Sequence, residues 1–470
     1  MQQETNADVV VIGGGFAGLI TANRLAELGR KPLVLEQGTD AAYLCNSRFT
    51  GGTFHVCFRD PVGRTPEELL EAIRTTSLVA SEPLAQAVAH EVSKVIGWLR
   101  EHGIRLAKAG AHEYKSWVLT PFRNNRYGLD WKGRGGDVAL RTLTETLQAK
   151  GGLLKRGARA IALDLKDASQ AVVEVSEGGQ THRYRANAVV IADGGFQGNP
   201  DLMRKFITPR PESLVQRGAG TGRGDGLSMA LAAGAASIGM NRFYGHLLAK
   251  DALTNDNLWP FPVADPLVES AIVVNDAGER FADEGKGGVW MANQVAWMDD
   301  PLSAVIIFDD AIWRGPGADG LMSPNPNMVN AGANIASAGT IVELAGLVGL
   351  PADALARTVN AYNAALLAYK LLDLQPIRTA MFGKPMPIFK APFHALTVAA
   401  GITYTMGGIS IDEHARALDA VGKPVARLYA AGCCSGGLEG GPDSGGYVGG
   451  LAKSGVTALR AAEHIAANLT

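Results

Sequence analysis

The stretch Asp8-Val9-Val10-Val11-Ile12-Gly13-Gly14-Gly15-Phe16-Ala17-Gly18 decides the fold. Its β-branched opening reads as a buried strand of a parallel sheet, and the Ala- and Leu-rich residues from Leu19 to Leu28 read as a helix that Gly29 stops. Between them lies a G-x-G-x-x-G turn. Gly13 permits the tight turn, Gly15 lets the backbone approach a pyrophosphate, and Gly18 lets the helix pack closely on the sheet. The helix start at Phe16 and Ala17 offers N–H groups and a positive dipole end to phosphate oxygens. A second apolar strand, Pro32-Leu33-Val34-Leu35, ends in Glu36, followed by Gln37, where an acid accepts hydrogen bonds from the hydroxyls of an adenosine ribose. A glycine pattern alone recurs by chance. With a strand before it, a helix after it and an acid closing the second strand, it predicts an α/β, Rossmann-like dinucleotide-binding domain rather than a merely structural turn; FAD and NAD both stay open on this segment.

Working outward, 470 residues exceed a typical domain about threefold, so a large core with an inserted or appended smaller domain is expected. The chain is 47% hydrophobic and 19% charged, which excludes intrinsic disorder, and no apolar run approaches the ~18 residues that span a bilayer. The net charge of −2 gives no electrostatic footprint for nucleic acid or anionic lipid, so a small-molecule partner is expected. The four cysteines, Cys45, Cys57, Cys433 and Cys434, form no zinc or haem-attachment pattern. No metal is expected. A reducing cytoplasm and no targeting segment are the corresponding expectations for location.

Further blocks carry a family resemblance. Cys45-Asn46-Ser47-Arg48-Phe49-Thr50-Gly51-Gly52 resembles the flavin-wrapping segment of the fumarate reductase and succinate dehydrogenase flavoproteins. Ala188 to Phe196, with Ala192-Asp193-Gly194-Gly195, is similar to that superfamily's V-V-L-A-T-G-G-F strand and turn. Gly220 to Gly226, with Asp225, resembles its T-G-D-G turn, and Tyr429-Ala430-Ala431-Gly432 its Y-A-A-G strand end. The resemblance implies a glutathione-reductase-like flavoprotein fold and bound FAD. The implied cofactor contacts are Gly13, Gly15, Phe16, Ala17, Gly18, Glu36, Gln37, Asn46, Ser47, Thr50, Gly51, Gly52, Ala192, Asp193, Gly194, Asp225, Gly432, Cys433 and Gly446. Cys45 stands where the succinate dehydrogenases carry a flavin-linked histidine, so noncovalent FAD is expected. Without a haem motif, the expected electron acceptor is dioxygen, a quinone or an electron-transfer flavoprotein.

The flavin blocks fall within 1–240 and 405–470, so 241–404 is expected to be an inserted α+β capping domain, with substrate between the two. Asn275 to Glu284 resembles the superfamily's N-x-x-G-x-R-F-x-x-E hairpin. Thr340 followed by Glu343 predicts a capped helix with Ile341, Leu344, Ala345 and Val348 on one face. The alternating residues of 151–187 predict a small antiparallel sheet beside the flavin domain.

Chemistry of the kind the resemblance implies moves a proton next to a carbonyl or carboxylate while the flavin takes a hydride from the neighbouring carbon. His246 is similar in position to a histidine that holds a substrate carboxylate. Tyr404, in Thr403-Tyr404-Thr405-Met406-Gly407-Gly408, takes the place of a second such histidine; a phenol suits a ketone oxygen or enolate better than a carboxylate. The arginines of fumarate reductases correspond to Gly288, with Lys286 nearby, and to Asp443, which disfavours fumarate reduction. What remains is closer to tricarballylate dehydrogenase and to ketone desaturases related to 3-ketosteroid dehydrogenase. Gly440, Gly441, Gly445 and Gly446 are candidate N–H donors to a carbonyl oxygen. Glu439 is a candidate proton acceptor, Tyr447 and Tyr244 are further candidates, and Arg123 and Arg126 are candidate carboxylate anchors. The expected function is an FAD-dependent dehydrogenase desaturating the α,β bond of a cyclic ketone or keto acid. The rivals are a tricarballylate-like acid dehydrogenase, a fumarate reductase-like enoate reductase, and a flavin-binding redox sensor.

Overall fold

The computed structural model describes residues 4–78, 80–122, 131–167, 169–259, 262–319, 323–441 and 445–469. Its first half runs β1 (Glu4–Ile12), α1 (Phe16–Glu27), β2 (Pro32–Glu36), β3 (Leu153–Arg156), β4 (Ala158–Asp164), β5 (Ala171–Glu177), β6 (Gln180–Ile191) and α2 (Asp225–Ala232). Its second half continues through β7 (Phe243–Ala249), α3 (Asp265–Ser270), β8 (Ile272–Val274), α4 (Gly288–Ala296), β9 (Val305–Asp309), α5 (Ile341–Val348), α6 (Ala352–Leu367), β10 (Phe393–Thr405), β11 (Pro424–Ala430) and α7 (Gly450–Asn468).

The largest sheet among the described residues is built on β1. It pairs in parallel with β2 (Val11↔Val34) on one side and β6 (Val11↔Val190) on the other. β3 extends this sheet beyond β2, and β11 extends it beyond β6. Val9, Val10 and Val11 are fully buried, as a strand covered on both faces requires. α1 starts one residue after Gly15 and is closed by Gly29, whose φ of +78° is the left-handed value a helix end of this kind uses. Helix α7 packs beside it, with Arg24 bound to Glu463 at 2.8 Å.

The antiparallel strands of 151–187 do not form a separate small sheet. β4, β5 and β6 pair antiparallel, but β6 is twelve residues long and from Arg183 to Ile191 it is the parallel neighbour of β1, while β3 pairs in parallel with β2. The alternation of Val173 and Val175 marked the strands correctly and carried no information on where β6 would end.

A second sheet centres on β10. It pairs with β7, with β9 and with Ala336–Ala338, and β8 joins through β9. α5 carries the predicted reciprocal cap, in which Thr340 Oγ1 accepts from the Glu343 N–H and the Glu343 carboxylate accepts from the Thr340 N–H, both at 3.1 Å. Within Asn275–Glu284, the fully buried Glu284 carboxylate binds Arg280 at 2.6 Å and Arg378 at 3.4 Å. The register of β7 on β10 sets Tyr244 opposite Tyr404, with a bulge between Tyr244 and Gly245. Both rings are thereby delivered to the same cavity.

Candidate active site

Two cavities meet at the start of α1. The narrow one, about 110 Å³, is lined by Gly13, Gly15, Glu36, Gln37, Ala192, Asp193, Gly194 and Asp225, among others. The wide one, about 780 Å³, includes Thr50, Gly51, Gly52, His246, Tyr404, Gly446 and Tyr447 in its wall. Phe16, Asn46, Ser47, Cys433 and Ser454 line both. An elongated two-part space of this kind fits a dinucleotide with its adenosine half at the turn and its ring beyond.

Local geometry supports that fit. A Cβ on Gly13, whose φ is +106°, would lie 2.5 Å from the Ala192 carbonyl, and one on Gly18 would lie 1.9 Å from the Gly13 carbonyl. Glu36 is fixed by the Gly14 N–H at 2.9 Å and the Gly38 N–H at 2.7 Å, and burial raises its pKa. Ser47 accepts from the Phe16 N–H at 2.8 Å, while Asn46 bonds both the Thr403 carbonyl and the Ala219 N–H. Burial pushes Asp193 up to about 7, with one oxygen on the Gly226 N–H and the other buried without a hydrogen-bond partner. Gly432 supports the site from behind, since its Cβ would meet that of Ala17 at 2.8 Å. FAD would therefore lie with its pyrophosphate at Gly13, Gly15 and the start of α1, its ribose at Glu36, and its ring among Asn46 to Gly52 and Cys433.

Around the ring end stand three tyrosines. Tyr244 and Tyr447 stack at 3.7 Å, and Tyr404 lies 5.5 Å from Tyr244. Burial pushes Tyr404 and Tyr447 well above the ordinary phenol range, so both remain protonated at neutral pH. The Tyr404 hydroxyl donates to Glu439 at 2.9 Å. Glu439 also accepts from the Val448 and Gly449 N–H groups and from Lys453, and both members of that ion pair are fully buried. A carboxylate so filled with donors holds the C-terminal turn in place.

His246 lies in the cavity wall with Nδ1 on Asp265 at 2.5 Å and Nε2 on the Tyr244 hydroxyl at 3.1 Å. Burial lowers its pKa, the Asp265 charge opposes that fall, and the Arg217 charge reinforces it. Of the candidate N–H donors, Gly440 is committed to the Gly446 carbonyl at 3.0 Å. Gly441 accepts from Arg242 through its carbonyl, and Gly445 and Gly446 line the cavity. Lys286 also lines it and lies over the Trp290 ring. Arg123, Arg126 and Asp443 lie outside the described residues.

Sequence reasoning missed Arg217, Asp265, His55 and Glu269. Arg217 is buried in the cavity wall and donates to Thr403 Oγ1 at 2.8 Å. Its only sequence signal is a basic residue shortly before the Gly220 turn. His55 is held neutral, its pKa pushed down to about 4 by burial, and it accepts from the Phe58 N–H. Cys57 and Phe58 take left-handed φ values of 48° and 62°, an uncommon conformation for side chains of this kind, at the cavity wall.

Burial and the Asp265 charge push Glu269 up to about 8. A carboxyl that ionises near 4.5 when unfolded but near 8 when folded loses stability as pH rises between those values. Glu269→Gln is therefore expected to flatten that decline, with the gain over the wild type largest above pH 8 and on the order of a few kcal/mol. Urea denaturation from pH 5 to 9 measures it; parallel curves would contradict it.

Comparison with known proteins agrees with the cavity. The FAD binding domain family model matches residues 8–447, and the chain belongs to that family. It is 24% identical to vinyl phenol reductase of Lactiplantibacillus plantarum, over 92% of this chain and 90% of that protein. It is 30% identical to 4-oxocyclohexanecarboxylate 2-dehydrogenase of Sinomonas cyclohexanicum, over 52% of this chain and 45% of that one. In fold it is similar to 3-ketosteroid Δ1-dehydrogenase from Sterolibacterium denitrificans, with a TM-score of 0.73, 19% identity, and coverage of 98% of this chain and 100% of that chain. The protein is an FAD-dependent oxidoreductase acting on carbon–carbon bonds, in the flavoprotein superfamily that includes the fumarate reductases. Among the described residues no helix is long and apolar enough to cross a membrane, and no group of three or more His, Cys, Asp or Glu side chains is arranged to hold a metal ion.

Proposed function

We propose that the enzyme desaturates the α,β carbon–carbon bond of a carbonyl compound, a cyclic ketone or a keto acid, with residues 241–404 capping noncovalent FAD. Bound FAD supplies the acceptor for the β hydride, and dioxygen, a quinone or an electron-transfer flavoprotein would reoxidise it. The chain's own residues bind the carbonyl and move the proton: the three tyrosines and His246 wall the cavity, and Gly445 and Gly446 line it with them.

One observation carries this reading. At Gly288, where the resemblance leads one to expect a fumarate reductase arginine, an added Cβ would fall 2.0 Å from Cγ of Asp265. A carboxylate fills the space, and it repels the dicarboxylate that an arginine would clamp.

A second reading, dehydrogenation of a carboxylic acid, is favoured by Arg217 and Lys286 in the same wall. The likeness to a dehydrogenase of an oxocyclohexanecarboxylate suits a ring bearing both groups. Anaerobic mixing of the holoenzyme with cyclohexanone, its 4-carboxylate and tricarballylate is expected to bleach the flavin fastest with a ring ketone. Bleaching by tricarballylate alone would select the second reading. If no carbonyl compound or acid bleaches it, a redox-sensing flavoprotein becomes the better account.

A further inference from the structure

We propose that Tyr244, backed by His246 and Asp265, is the group that takes the α proton. The inference rests on the dehydrogenation reading and deepens it. Asp265, His246 and Tyr244 form one hydrogen-bonded line from α3 through β7 into the cavity. A neutral imidazole with its Nδ1–H on a carboxylate has a bare Nε2, so the Tyr244 hydroxyl donates to it. As the substrate Cα–H bond breaks, its electrons remain as the enolate and its proton forms a new bond to Tyr244 Oη. The hydroxyl proton already on Tyr244 passes to His246 Nε2, and the resulting imidazolium is paired with Asp265. The β hydride leaves to the bound cofactor.

The other tyrosines lack such a proton sink. The Tyr404 hydroxyl faces Glu439, which Lys453 and two backbone N–H groups already neutralise. Tyr447 stacks on Tyr244 and directs its hydroxyl toward it. The charged and titratable groups that face the line from neighbouring elements are Arg217, Tyr447, Tyr114, Glu269 and Lys286. Arg217 and Tyr447 both hydrogen-bond the Tyr244 oxygen and favour negative charge on it, which burial and the Asp265 charge oppose. Asp265 acts here as a positioning residue, holding the tautomer.

The test uses the holoenzyme, anaerobic, in deuterated water, with cyclohexanone as the probe and loss of its α C–H signal read by NMR. Tyr244→Phe is expected to slow exchange about 10²-fold or more. Asp265→Asn is expected to slow it less and to move the acid limb of the pH profile downward, because it removes the charge that raises the His246 pKa. Retention of the bound flavin spectrum reports that each variant is folded. Independently, nitrogen NMR of the histidine-labelled holoenzyme is expected to find His246 protonated at Nδ1 and bare at Nε2. A protonated Nε2, exchange within threefold of wild type in Tyr244→Phe, or no exchange by the wild type would each overturn the proposal. If the flavin is still bleached by a ring ketone in that case, the dehydrogenation reading stands without it.

Discussion

Gly15→Ala is expected to give a stable but colourless protein, whereas Gly18→Ala is expected to give little folded protein. Gly15 caps α1 with φ −74° and ψ −173°, values any residue adopts. A Cβ there would meet nothing nearer than Ser47 Oγ at 3.3 Å. The methyl group would instead occupy the narrow cavity where the backbone comes close to the pyrophosphate. Overpacking of that kind costs about 1–3 kcal/mol, a loss of about 5- to 150-fold in FAD affinity with little change in the unfolding of the apoprotein. At Gly18 the added carbon would sit 1.9 Å from the Gly13 carbonyl, where helix, turn and strand are all backbone and none can swing aside. More than about 3 kcal/mol of stability should be lost. Fluorescence titration with FAD and urea denaturation of the two apoproteins separate the effects; equal FAD affinity in Gly15→Ala and wild type would mean that the cofactor does not lie along this turn.

The contrast explains why the cofactor half was legible in the sequence and the reacting half was not. A pyrophosphate is held by backbone, and backbone needs leave a mark in local sequence: glycine where no Cβ fits, β-branched residues where a strand is covered on both faces, an acid where the second strand ends. Gly13, Gly18 and Glu36 all lie within 24 residues of one another and follow one supersecondary unit. The wall of the wide cavity is assembled in part from Arg217, Tyr244, Asp265, Tyr404 and Tyr447, which meet only because β7 pairs with β10 and α3 packs beside them. Nothing local distinguishes Asp265 from any acid at a helix start, or Arg217 from any loop arginine. Glu439 shows the converse limit. An isolated glutamate before a glycine-rich turn reads equally as a base or as a surface carboxylate, and its four donors become visible only once α7 returns Lys453 to it.

That ion pair supports the second large expectation: Lys453→Met should destabilise the protein by about 3–5 kcal/mol, although it touches no part of the narrow cavity. Glu439 and Lys453 have no solvent exposure at all, so removing the ammonium strands a carboxylate where water cannot reach it. The Tyr404 hydroxyl and two N–H groups would remain as its donors. Glu439→Gln in the Lys453→Met background removes the stranded charge and keeps an acceptor for Tyr404. The double variant should therefore be markedly more stable than Lys453→Met alone, the sign expected when the penalty lies in the unpaired charge rather than in lost packing. Urea denaturation of the four proteins closes the cycle. If the two substitutions instead add, the pair contributes by packing alone and not through the charge of Glu439.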